Sequence, residues 1–82
     1  MPTELTPEDR RAKVLADLQE AINDKDALLR NPEAHTGPLT EQVKAAYRQG
    51  VIDADDQREY LEWIDSAQAW AVEELLTREL NQ

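Results

Sequence analysis

Residues 53–80 read DADDQREYLEWIDSAQAWAVEELLTREL, and the reading of this stretch decides the fold. Asp53 is a good N-cap, Asp55 and Asp56 place acids at the positive end of the helix dipole, and the apolar residues beyond them recur with a period near 3.6. One long amphipathic helix is expected from about residue 54 to residue 80. It carries Tyr60, Trp63 and Trp70, every large aromatic of the chain but Tyr47. At 100° per residue, with Tyr60 as origin, Ile64, Ala67, Ala71 and Leu75 fall within about 60° of it. Trp63 and Trp70 share one flank, and Leu61 and Val72 share the other. The apolar arc spans about 200°, whereas a helix lying on one layer needs little more than about 100°. The small residues Ala67 and Ala71 mark a line along which another helix can approach closely, and the first helix is its natural occupant.

Working back from this helix, Gly50-Val51-Ile52-Asp53 reads as a tight joint. Gly50 is expected in left-handed geometry at the end of a helix, with Val51 folding back on it. In local pattern the joint resembles the turn of the short bacterial oligomerisation modules of the SHOCT type, features generic to short helix–glycine–hydrophobic–acid joints. Before it, Leu39, Val43, Ala46 and Tyr47 make the apolar face of a short helix over residues 39–49. Asn31 to Pro38, with Pro32, Gly37 and Pro38, reads as an irregular connector in which His35 meets solvent.

At the other end, Thr6-Pro7-Glu8-Asp9 signals a helix start: an N-cap hydroxyl, a proline at the first helical position and two acids. Val14, Leu15, Leu18, Ile22 and Leu29 continue at spacings of three, four and seven, so the first helix is expected to run over 7–30. Lys25 sits on that stripe and can lay its methylenes along it. Asn31-Pro32 ends the helix, because a residue before proline disfavours helical geometry. The expectation is therefore a single all-α domain over 1–82. Two long antiparallel helices are joined by a short one, and dimerisation completes a helical bundle.

Composition narrows the function. The chain has 82 residues, no cysteine, and 18 acids against 9 bases for a net charge of −9. Leu, Ile and Val together are just over a fifth of the residues and Phe is absent, so the core is thin and modestly stable. A strongly acidic chain is not expected to contact nucleic acid directly or to bind anionic membranes; a basic protein surface is what its field attracts. No apolar run approaches a membrane span, and the first nine residues lack a basic region followed by an apolar stretch, so a cytoplasmic protein is expected.

No residue set supports chemistry. Asp53, Asp55, Asp56 and Glu59 suggest a cation loop, but a calcium loop needs glycine at its sixth position and glutamate at its twelfth; here those are Arg58 and Ile64. Capping and dipole complementarity explain these acids better. His35 and Ser66 are the only residues of their kinds and lack partners for metal binding or nucleophilic catalysis. Carboxylate pairs such as Glu59 with Glu62, or Glu73 with Glu74, are ordinary on the solvated face of an acidic helix. No catalytic residue, cofactor or metal is expected.

The remaining signal is the aromatic face. Tyr and Trp concentrate where binding energy concentrates. Tyr60, Trp63 and Trp70, rimmed by Glu59, Glu62, Glu73 and Glu74, are the expected partner-binding residues. The implied target is a protein with an apolar groove bordered by Lys or Arg. The expected function is a non-enzymatic regulator or inhibitor acting by helix-face docking, of the kind found among bacterial and phage accessory proteins. Two other readings compete. A nucleic-acid mimic would use the carboxylates to fill a DNA- or RNA-binding cleft, though Arg10, Arg11, Lys13, Lys25 and Arg30 interrupt the acid. A homo-oligomeric assembly or chaperone subunit would spend the aromatic face on self-association.

Overall fold

The computed structural model describes residues 6–80. Residues 1–5, which include most of the stretch read for a secretory leader, and residues 81–82 lie outside that range. Four helices follow in order: α1 over Pro7–Ile22, α2 over Lys25–Arg30, α3 over Pro32–Arg48 and α4 over Ala54–Leu80. The fold is all-α, with no strand among the described residues.

Two of the expected boundaries are corrected. The helix expected over 7–30 breaks at Asn23-Asp24. Asn23 takes a non-helical φ of −85° and ψ of 0°, and its amide bonds to the carbonyl of Gln19 at 3.0 Å. Asp24 then acts as a fresh N-cap, accepting from the amide of Ala27 at 3.1 Å, with Asp26 in the new first turn. Short polar side chains that bond their own backbone compete with the helix, so Asn-Asp interrupts what the apolar period alone carries through. The break resets the phase of the buried face. Leu28 is buried, while Leu29, which the continuous stripe favours, is half-exposed.

The second correction concerns residues 31–38, expected as a connector, and the short helix expected over 39–49. They belong to one helix, α3. Asn31 is extended, with φ −162° and ψ 97°, as a residue before proline prefers, and its side chain accepts from the amide of Ala34 at 3.2 Å. Pro32 occupies the first turn, where its missing N–H costs nothing. The dipeptide that ends α2 therefore also begins α3. Pro38 lies inside the helix and leaves the carbonyl of Ala34 without its regular amide donor.

The joint between α3 and α4 follows its expected form. Gly50 has φ +76°. The amide of Val51 bonds to the carbonyl of Ala46 at 2.9 Å and that of Gly50 to Tyr47 at 3.0 Å, which together make a Schellman motif. Asp53 caps α4 by accepting from the amide of Asp56 at 2.8 Å, and Asp56 reaches back to the amide of Asp53 at 3.4 Å.

The packing differs from two long antiparallel helices. The antiparallel neighbour of α4 is α3: they are joined at Gly50, and at the far end Thr36 Oγ1 donates to Gln68 Oε1 at 3.1 Å. Contacts between α1 and α4 advance in the same direction along both helices, Arg11 with Asp56 and Gln19 with Tyr60, so these two run in the same sense. Leu18 and Ile22 of α1, Leu39, Val43 and Ala46 of α3, Ile52 of the joint, and Tyr60 and Ile64 of α4 form the core. Each large apolar side chain buried there contributes about 1.5–3 kcal/mol. The molecule is elongated, with extents of 56 × 28 × 15 Å and a radius of gyration of 15.1 Å, against about 12 Å for a compact chain of this length. No helix among the described residues is long and apolar enough to cross a membrane.

Candidate functional site

The wide apolar arc of α4 is shared among three neighbours from its own chain. Tyr60, expected at a partner surface, belongs to the core: it is 5% exposed, and its hydroxyl accepts from Gln19 Nε2 at 2.8 Å. Gln68 meets α3 through Thr36, and Ala71 is fully buried. The principal neighbour of α4 is α3, not the first helix expected along the line of Ala67 and Ala71.

Trp63 and Trp70 do lie together, and both are half-buried. Trp63 packs against Tyr60 with ring centroids 5.6 Å apart and planes tilted by 41°, an arrangement aromatic pairs favour. Trp70 lies beneath Lys25, whose Nζ is 5.4 Å from the ring centroid. That contact is a cation–π interaction across α2 and α4. It also explains Lys25 on the apolar side: the break at Asn23-Asp24 re-aims the residue so that its ammonium covers an indole.

Between these elements runs an open groove of about 260 Å³. Trp63, Ala67 and Trp70 line its α4 wall, with Ser66 at the edge; Ile22 and Leu28 line the opposite wall, with Asn23 and Lys25. The floor is apolar and the edges are polar. An opening of this size and lining has room for one or two apolar side chains. Of the expected acidic rim, Glu59, Glu62 and Glu73 are exposed and Glu74 is half-buried. On the helical wheel Glu59 and Glu74 lie within about 40° of the tryptophans, and Glu62 and Glu73 lie further round. None of these acids lines the groove: Glu59, Glu62 and Glu73 lie outside the tryptophans on α4, Glu74 lies on their inner side, and Lys25 stands across the groove from them.

His35, expected to meet solvent, is half-buried, with Nε2 at 2.7 Å from the carbonyl oxygen of Ala21. A carbonyl only accepts, so Nε2 carries the proton. The ring pins the C-terminal turn of α1 to α3. The acids at the start of α4 act as caps and ion-pair partners. Asp56 binds Arg11, Asp55 meets Arg58 at 3.3 Å, and no cluster of three or more His, Cys, Asp or Glu suited to a metal occurs among the described residues.

Sequence reasoning placed Val72 on the flank of Leu61 but missed the exposed apolar line that continues from it through Leu76 and Leu80. Val72 is 41%, Leu76 53% and Leu80 85% exposed. Their spacing of four is the signal that marks them, and the stronger aromatic signal on the same helix masks it. Comparison of the chain with protein-family models, with curated proteins and with solved structures found no match.

Proposed function

We propose that this chain is a non-enzymatic binding protein that regulates or inhibits another protein by docking through the groove of Trp63 and Trp70. The observation that carries the reading is the pairing of two half-buried indoles with an open apolar groove on an acidic, elongated molecule. The groove receives an apolar anchor of the partner, and the acids of α4 favour a target whose contact surface carries Lys or Arg. Anchors buried in such grooves dominate affinity, and charged rims chiefly set association rate.

The test is affinity capture from the native cell with the full chain, followed by identification of the retained protein and titration of the purified pair at low and moderate salt. Docking through the groove predicts a dissociation constant that changes little with salt. A nucleic-acid mimic predicts affinity that collapses over the same range.

Self-pairing through the same groove is the second reading, favoured by the elongated shape. Sedimentation at micromolar concentration then gives about twice the 9.4 kDa chain mass. A monomer at that concentration removes it.

A further inference from the structure

The exposed line of Val72, Leu76 and Leu80 has a geometric origin. In the antiparallel pair of α3 and α4, Thr36 meets Gln68. Helix α3 begins at Pro32, one turn earlier, so its end comes level with Val72. The last two turns of α4 extend past the end of α3, and Leu76 and Leu80, each about 160° around the helix from the buried Tyr60, also face away from the core. Ala69 and Val72 begin the face, with Asp65, Gln68 and Glu73 around a shallow depression between them. Leu76 and Leu80 continue it. At 100° per residue, Leu76 lies about 120° around the helix from Trp70, so this is a different face from the groove.

The charges bordering the line are of one sign. Glu73 stands on one side of it and Glu79 on the other, each about 60° around the helix from Leu76, and Asp65 lies in line with it two turns before Val72, all exposed. Arg78, the only base in the last three turns of α4, lies about 160° away from Leu76. A second copy of the chain laid face to face would set acid against acid on both borders, which disfavours self-pairing here. An apolar line with acid on both sides complements an amphipathic helix whose leucine-like stripe is flanked by Lys or Arg.

We infer that residues 69–80 of α4 form a second docking face, which takes a cationic amphipathic helix of another protein. The face does not depend on the tryptophan groove being a binding site: the two share no lining residue, and only Glu73, from the expected acidic rim of the tryptophans, also borders this face. Its apolar line contributes affinity by burial, and its acidic borders select the charge of the partner and set the register.

The probe is a synthetic Leu/Lys peptide of about 18 residues, five helical turns, with its leucines on one face. It is titrated into the full chain by calorimetry and by amide NMR. The expected result is saturable binding, with shifts confined to residues 65–80. Leu76→Lys and Leu80→Lys should each weaken it at least about tenfold while leaving the melting temperature unchanged, because both side chains are exposed. Trp63→Ala, if folded, should bind the peptide as the parent chain does. That result separates this face from the groove, whose test is the captured partner.

Three results overturn the inference. A peptide of the same composition with leucines scattered around the helix binds equally well, so bulk charge alone is responsible. The shifts cluster at Trp63 and Trp70, so the groove is the site. Or the chain without peptide is a dimer that Leu76→Lys dissociates, so a second copy is the occupant.

Discussion

The guanidinium of Arg11 grips the carboxylate of Asp56 with two hydrogen bonds, Nε to Oδ2 at 3.0 Å and Nη2 to Oδ1 at 2.8 Å, across forty-five residues of chain. The same carboxylate reaches the amide of Asp53, so one side chain closes the first turn of α4 and ties it to α1. The Asp56 side chain is 12% exposed and that of Arg11 48%. Removing the acid therefore leaves a frayed turn and a lost tether, whereas removing the base leaves a carboxylate that still caps. Asp56→Ala should cost about 2 kcal/mol and Arg11→Ala about 1 kcal/mol. Thermal unfolding checks the order: equal losses would mean the ion pair alone matters, not the cap.

Gly50 has φ +76°, and a Cβ added there would meet no atom within 4 Å, so any penalty is conformational and not steric crowding by neighbours. Gly50→Val should cost about 1–2 kcal/mol, and Gly50→Asn less, because Asn tolerates left-handed geometry. A melting temperature unchanged by the valine would contradict the Schellman ending of α3.

The break after α1 makes adjacent leucines unequal. Leu28 is 2% exposed and Leu29 half-exposed. Leu28→Ala should cost about 2–4 kcal/mol and Leu29→Ala about 1 kcal/mol or less. A continuous helix over 7–30 predicts the reverse, and paired denaturant titrations decide between them.

These residues also show how much of the fold is legible in the sequence. Thr6-Pro7, Gly50-Val51 and Asp53 each carry their instruction within a few residues, and the helix ends they specify stand as expected: Thr6 accepts from the amide of Asp9 at 3.1 Å. The length of α4 is legible because its period runs unbroken to Leu80. Asn23-Asp24 is not, because the apolar spacing from Val14 to Leu29 continues smoothly across it and hides a second cap. Asn31-Pro32 is ambiguous by nature, since a dipeptide that stops one helix can start the next. Pro38 argues for a loop, yet burial of Thr36, Leu39 and Val43 offsets one missing backbone bond.

At the candidate site, the indoles are legible as a pair, and their half-burial is not. Covering one flank of α4 with Ile22, Leu28 and Lys25 depends on where the break places α2, a tertiary consequence. Tyr60 goes to the core for the same reason: Gln19 is one of several polar residues on α1, and nothing local marks it as the partner of a buried hydroxyl.

The most direct test of the proposed docking groove is the affinity of the captured partner for four folded forms of the chain: the parent, Trp63→Ala, Trp70→Ala, and the double reversal of Glu73 and Glu74 to Lys. Each variant is first shown by circular dichroism and melting to retain its fold. The account predicts that Trp70→Ala weakens binding by about 2 kcal/mol or more, roughly thirtyfold, through faster dissociation, and that Trp63→Ala acts in the same direction. The charge reversal should chiefly slow association. Normal binding by both tryptophan variants, together with loss of binding on charge reversal, would contradict the groove and leave the acidic surface as the element that the partner recognises.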